Sequence, residues 1–178
     1  MWFTRRVVVL RPFDTSLLSL VQPWFHHPEV NRWLGGPSWP VPRADHSDEL
    51  FRGLRVLRSH TWVAFDRDGT AVGYIGGEVY DRWCRYSEGP DGPVVDKIEP
   101  GPAMGFAYVV DPRRWRQGFG VAILRACMDA PEVADVVLFA AGIEPGNVAS
   151  VRCAIAAGLL PESASPDWED MIYHVRRR

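Results

Sequence analysis

The stretch that most limits what this chain can become is Phe106-Ala-Tyr-Val-Val-Asp-Pro-Arg-Arg-Trp-Arg-Gln-Gly-Phe-Gly120, followed by the apolar run from Val121 to Met128. β-branched and aromatic residues from Met104 to Val110 predict a central strand, Asp111-Pro112 a turn, Gly118 and Gly120 a loop, and the run after Gly120 a helix. The first N–H groups of a helix have no partner within it and carry the positive end of its dipole, so this loop suits a phosphate or diphosphate. Glycine removes the Cβ atoms that would hold an anion away from the backbone. The same segment also reads as an ordinary glycine-containing connection from strand to helix, because two glycines in three residues are common.

Two better-known phosphate loops do not fit. A Walker loop places Lys and then Ser or Thr straight after its last glycine, whereas Val121-Ala122 follows Gly120. The dinucleotide fingerprint needs three spaced glycines early in a βαβ unit, which this stretch lacks. With 178 residues, 47% hydrophobic and 24% charged, the chain is expected to form a single soluble domain over residues 1–178. A net charge of −2 provides no overall field for nucleic acid, so no nucleic-acid partner is expected, and Arg176-Arg177-Arg178 reads as a solvated tail. Cys84, Cys127 and Cys153 are scattered, which argues against a disulfide framework or a zinc site and for a reducing cytoplasm. No apolar run approaches the roughly eighteen residues of a membrane span. Val7 to Leu10 is only strand-length and is closed by Arg11-Pro12, unlike a secretory signal.

Taken in order, residues 6–12 predict a first strand, and Asp14 or Thr15 caps a helix whose apolar positions are Leu17, Leu18, Val21, Trp24 and Phe25, ended or kinked at Pro23. A second helix runs from about Pro28 to Leu34, with Gly35 as its stop. The proline-rich residues 36–42 predict no regular structure, and Leu50, Phe51, Leu54 and Leu57 suggest a third helix over residues 45–58. Thr61 to Phe65 and Thr70 to Tyr80 form a hairpin around Asp66-Arg-Asp-Gly69, with Gly73, Gly76 and Gly77 in its return strand. Residues 81–102, rich in Pro and Gly, read as a long loop with a brief strand at Val94-Val95; its acids Asp81, Glu88, Asp91, Asp96 and Glu99 would favour a cationic substrate beside it. Val136 to Ala141 predicts an interior strand, Asn147 to Ala157 a helix capped by Asn147 and stopped by Gly158, and Trp168 to Val175 a closing strand.

Three stretches together resemble the GCN5-related N-acetyltransferases (GNAT superfamily), most nearly the ribosomal-protein alanine and aminoglycoside 6'-acetyltransferase type. In that type a strand ending Gly-Tyr-Trp-Leu leads to Asp-Pro, two residues and Trp-Gly-Lys-Gly-Tyr-Ala. Here the same order reads Ala107-Tyr-Val-Val, Asp111-Pro112, Arg113-Arg114 and Trp115-Arg-Gln-Gly-Phe-Gly120. Asn147 to Leu159 resembles the family motif of Asn, two residues, Ser, seven residues and Gly-Phe, about thirty residues further on. The opening Leu10-Arg-Pro12, helix, and His27-Pro-Glu-Val-Asn-Arg-Trp-Leu34 is similar to the family's start, where two helices form a wall of the acceptor site.

The resemblance implies an α/β (α+β) fold with a mixed central sheet, splayed at the cofactor site and flanked by helices. It implies an N-acetyltransferase that binds acetyl-CoA and an amine together and transfers the acetyl group by direct attack. Tyr108, Val109 and Val110 would pair with the pantetheine arm, and a main-chain N–H near Val109 or Val110 would meet the thioester oxygen. Trp115, Arg116, Gln117, Gly118, Phe119, Gly120 and Val121 would surround the diphosphate, with Asn147 and Ser150 also binding the cofactor. Where relatives often carry a Glu early in the central strand, this chain has Ala103-Met-Gly105, so Glu78 is the first choice of base, followed by Asp96 or Glu99, then His60 and His26. Ala154 stands where many relatives have a tyrosine acid, and Ser150 is its nearest replacement. A lone strand-end Glu such as Glu78 is more often a solvated surface residue, and Asn147 reads equally as a helix cap alone. The acceptor is a small cationic amine or a protein N-terminus, and a homodimer fits the class. The missing Glu and Tyr also leave open a catalytically inactive sensor or assembly module that binds acyl-CoA.

Overall fold

In the computed structural model, residues 6–34, 50–51 and 53–178 are described. Among these, the strands are β1 (Val9–Pro12), β2 (Leu50–Phe51), β3 (Leu54–Phe65), β4 (Ala71–Gly89), β5 (Gly92–Val110), β6 (Leu138–Ile143), β7 (Leu160–Pro161) and β8 (Ile172–Arg177). The α-helices are α1 (Leu18–Phe25), α2 (Pro28–Leu34), α3 (Phe119–Met128) and α4 (Val148–Ala157). Strands hydrogen-bond in the order β1-β3-β4-β5-β6-β8-β7, with β2 on β3. The sheet is mixed, as expected: β5 and β6 are parallel, while β1 with β3 and β6 with β8 are antiparallel.

Two compact units divide the chain, and β4 and β5 contribute to both. The first contains β1, α1, α2, His60–Gly76 and Ala107–Val133. Its core joins Val21, Trp24, Phe25 and Val30 of the first two helices to Val63, Phe65, Tyr74 and Val109 of the strands. Tyr74 meets Phe13 and Phe25 edge-on at 5.5 and 5.3 Å, an arrangement that matches ring edge to ring face. The helix passes Pro23 and continues to Phe25, so of the two expected effects the proline does not end it at once. Only two residues follow the proline, and burying Trp24 and Phe25 is worth about 1.5–3 kcal/mol each, which offsets the lost hydrogen bond. On the sheet, α3 lies so close to β4 that a Cβ at Gly73 would stand 2.3 Å from Ile123 Cδ1 and 2.8 Å from Val109 O.

The second unit contains Gly77–Phe106, Ala134–Arg178 and the start of β3. Two expectations fail here. Residues 50–51 and 53–58 are not helical: β2 is followed by Gly53, at φ +73°, and β3, where Leu54 and Val56 are buried and Arg55 is exposed. A period of two therefore wins over the weaker helical spacing of the leucines, and the remainder of the expected helix, like the proline-rich residues 36–42, lies outside the described residues. Residues 81–102 are not a loop but the far half of the β4–β5 hairpin, turning at Pro90-Asp91 with Gly92 at φ +119°. Prolines 93, 100 and 102 are tolerated in β5 because its register with β6 begins only at Ala103, so a missing N–H need not interrupt that ladder.

Charge pairs hold this hairpin. Arg85 Nε donates to Asp96 at 2.7 Å. Arg177 of β8 bridges Glu99, 2.7 Å from its Nε, and Glu162, which also accepts from Trp83 Nε1 at 3.1 Å. At Gly77 a Cβ would fall 1.9 Å from Gly105 O, so β4 and β5 approach to a distance that only glycine allows. Burial pushes the Cys127 thiol up to about 12, the inert state expected of a core cysteine.

The hydrogen bond from Arg177 lowers the Glu99 carboxyl from its ordinary 4.5 to about 2. A lowered carboxyl stabilises the fold above its unfolded pKa and loses that contribution as pH falls through the folded one. In thermal melts, Glu99→Gln should therefore cost stability at pH 7, and the gap to the wild type should close between pH 4.5 and about 2.

Candidate active site

The loop that follows β5 is fixed at both ends. Asp111 is buried, donates its N–H to Val72 O at 3.0 Å and caps a 3-10 turn over Pro112–Arg114. Its carboxylate accepts from Arg113 N at 3.0 Å and from the Arg113 guanidinium at 3.1 and 2.9 Å. Arg113 thus neutralises a buried carboxylate, and this hydrogen bonding raises its own pKa. Trp115 Nε1 donates to Val110 O at 2.9 Å, folding the indole back over the end of β5, and the ring meets His27 edge-on at 4.9 Å. On the far side, Arg6 Nε donates to Gln117 O at 3.3 Å while its guanidinium lies over the Phe119 ring at 5.0 Å.

Between these anchors the backbone turns through two left-handed residues, Arg116 at φ +60° and Gly118 at φ +84°. Gly118 suits that region; for an arginine it costs about 1 kcal/mol or more. Gly118 then serves as the N-cap of α3 with no side-chain cap, and its carbonyl takes the first helical bond from Ala122 at 3.2 Å. Among the described residues, the N–H groups from Arg116 to Val121 have no protein partner. That run of donors, at the positive end of a ten-residue helix, fits a diphosphate.

Tyr108, Val109 and Val110 lead into this loop. The β5–β6 register ends at Gly105↔Ala140, and β5 continues to Val110. Asp111 N–H points to β4, and alternation along a strand turns Val109 the same way and Tyr108 and Val110 the opposite way. Of the two main-chain donors expected near the thioester, Val110 therefore lies on the outer edge and Val109 faces the sheet.

The other expected residues belong to the second unit. Asn147 caps α4, its Oδ1 accepting from Ser150 N at 3.2 Å, so capping is a role it demonstrably performs. Ser150 stands half-buried in the first turn of that helix, and Ala154 is buried in its interior face. Glu78 is half-buried on β4 and accepts from the Tyr80 hydroxyl at 2.9 Å, two residues along the same strand face. The substitute bases are engaged: Asp96 by Arg85, Glu99 by Arg177 and Lys97. His60 stacks on Trp62 at 5.2 Å, and His26 is exposed. Of the other carboxylates expected to attract a cation, Asp81 is engaged as well, accepting from Arg55 N at 3.0 Å and from Arg82, whereas Glu88 lies beside the exposed turn of the hairpin and Asp91 in it. Sequence reasoning missed the Trp115 to Val110 bond, the Asp111–Arg113 clamp and the Glu78–Tyr80 pair. An Asp-Pro-Arg turn and a Glu-x-Tyr alternation were the available signals for the last two.

A strand that outruns its neighbour, feeding a loop of bare donors on a helix, defines an acyl-CoA-dependent transferase of this sheet type. The family profile described as acetyltransferase (GNAT) domain matches residues 8–159, and the chain belongs to that family. Among solved structures, it is similar to the aminoglycoside acetyltransferase AAC(6')-Ib in complex with coenzyme A, at 18% identity and TM-score 0.69, covering 96% of this chain and 95% of that one. It is also similar to an aminoglycoside N(6')acetyltransferase from Legionella pneumophila, at 14% identity and TM-score 0.63, with 98% and 94% covered. A third is the spermidine N-acetyltransferase from Vibrio cholerae in complex with CoA and spermine, at 12% identity and TM-score 0.63, with 96% and 95% covered. No curated protein sequence matches the chain. No helix of the described residues is long and apolar enough to cross a membrane.

Asn147→Ala should lower stability by about 1 kcal/mol, read as a lower melting temperature, whereas Asn147→Asp should keep the cap and most of that stability.

Proposed function

We propose that residues 1–178 act as one domain that transfers the acetyl group of acetyl-CoA to the primary amine of a small cationic molecule. The observation that carries this reading is the run of N–H groups from Arg116 to Val121 that have no partner among the described residues, placed after a strand that continues beyond its register with β6. The diphosphate sits on those groups, with Trp115, Gln117, Gly118, Phe119 and Gly120 shaping the turn around it. The pantetheine arm pairs with the outer edge of Tyr108 and Val110; because Asp111 N–H turns to β4, the N–H of Val110 faces the other way and donates to the thioester oxygen.

Acetyl-CoA supplies an acyl group already activated as a thioester, so the protein's main task is to hold it beside the amine. Glu78 is the group we assign to accept the amine proton, its carboxylate oriented by the Tyr80 hydroxyl. Ser150 is assigned to the departing sulfur, and Asn147 to the cofactor in addition to its cap. A small polyamine or aminoglycoside-like acceptor is favoured by the aminoglycoside and spermidine acetyltransferases among the similar folds. Three free cysteines suit a reducing cytoplasm.

Acetyl-CoA turnover against a panel of cationic amines and a panel of N-terminal peptides tests the acceptor. Turnover confined to the peptides moves the acceptor to protein N-termini, and binding without turnover on either panel makes the chain an acyl-CoA sensor. Glu78→Gln should lower kcat by roughly 10²-fold with the KM for acetyl-CoA little changed. Gly120→Glu should abolish the thermal shift that CoA produces, by placing bulk and negative charge where the diphosphate rests. Light scattering of the same preparation reports whether two copies associate.

A further inference from the structure

On one side β5 loses its neighbour after Gly105, because the register with β6 ends there while β5 runs on to Val110. The last peptide of the strand is nonetheless held from both sides: Asp111 N–H donates to Val72 O of β4 at 3.0 Å, and Val110 O accepts from Trp115 Nε1 at 2.9 Å. An indole N–H thus stands where a neighbouring strand would supply its donor. That indole is 39% exposed, and among the described residues its aromatic partner is His27, edge-on at 4.9 Å. His27 is itself fixed at the corner between α1 and α2. Its N–H donates to Trp24 O at 3.1 Å, its carbonyl accepts from Asn31 N at 2.9 Å, and its Nδ1 accepts from Glu29 N at 3.3 Å. The imidazole therefore caps α2, and with Nδ1 used as an acceptor the neutral ring carries its hydrogen on Nε2. His27, Trp115, Val110 and Val72 all lie in the first unit.

We propose that His27 is a positioning residue for the acyl donor: by bracing the Trp115 indole on Val110 O, it keeps the end of β5 extended and the Val110 N–H aimed at the thioester oxygen. This role rests on the reading of β5 as the strand that receives acetyl-CoA. The N–H and C=O of one strand residue project from the same edge, so holding the Val110 carbonyl also holds the donor beside it. His27 touches neither substrate nor cofactor in this role; it acts through Trp115. A donor aimed at the developing oxyanion matters more in the transition state than in the bound state. Loosening it lowers kcat, and CoA, which has no thioester oxygen, binds as before.

Two substitutions separate the brace from the cap. His27→Asn keeps a side-chain cap for α2 and removes the ring, so the melting temperature should stay close to that of the wild type while kcat falls roughly fivefold. Its affinity for CoA, read by calorimetry, should stay within about twofold of the wild type. His27→Phe keeps the ring edge and removes the cap, so it should lower the melting temperature and retain most of kcat. Trp115→Phe, which removes the indole N–H, should lower kcat at least as far as His27→Asn, and combining the two should cost nothing more, because both act on one contact. The Trp115 Nε1–H proton signal, identified by its loss in Trp115→Phe, should shift in His27→Asn and stay in place in His27→Phe, which reads the brace without turnover. Wild-type kcat in His27→Asn overturns the proposal, as does a loss in the double variant that multiplies the two single losses. A wild-type chain that acetylates no amine, but whose indole signal shifts as described, upholds the brace and strikes at the proposed acetyl transfer instead.

Discussion

Six consecutive N–H groups that find no partner among the described residues are the constraint on which the proposed site depends. Left to itself a backbone avoids this, because exposed donors at a helix start are normally capped by a side chain or by water. Here the cap position is Gly118, which has no side chain to offer, and the loop before it is pinned from three directions: by Asp111 with Arg113, by Trp115 on Val110 O, and by Arg6 on Gln117 O. The donors are therefore held open by structure that lies outside the helix. Such preorganisation is what an anion site requires, since no reordering has to accompany binding.

The same economy applies to the chemistry. A thioester is already reactive toward amines, so alignment and one well-placed main-chain donor account for much of what the protein must add. On the proposed reading, Ala154, buried in α4, and Ala103-Met-Gly105 of β5 supply no catalytic side chain. The side chains that remain are few and paired: Glu78 with Tyr80, Asn147 with the first turn of α4. By contrast, three acidic residues of the hairpin serve the fold. Asp81, Asp96 and Glu99 each bind an arginine, which places their charge inside the protein's own balance.

Legibility followed locality. The Asp111 turn, the glycine loop, α2 from Pro28 and the Asn147 cap are decided by residues within a few positions of one another, and all were readable in order. The helix expected over residues 45–58 failed, because Leu54 and Val56 are placed by burial against Tyr80 and Cys84, residues far along the chain. The loop expected over residues 81–102 failed for the same reason: Arg85 finds Asp96 and Arg177 finds Glu99 only once the strands are side by side.

By itself the sequence determined the family and the donor it handles, and pointed to the segment proposed to receive it, since these are written in short-range signals such as turns, caps and glycine spacing. Tertiary structure alone decided which carboxylates stay available, that Val110 and not Val109 turns its N–H outward, and that Arg116 sits in a conformation made for glycine. Those outcomes depend on which groups meet across strands and around a loop, and hydrogen bonds between residues distant in the chain leave no periodic trace in it.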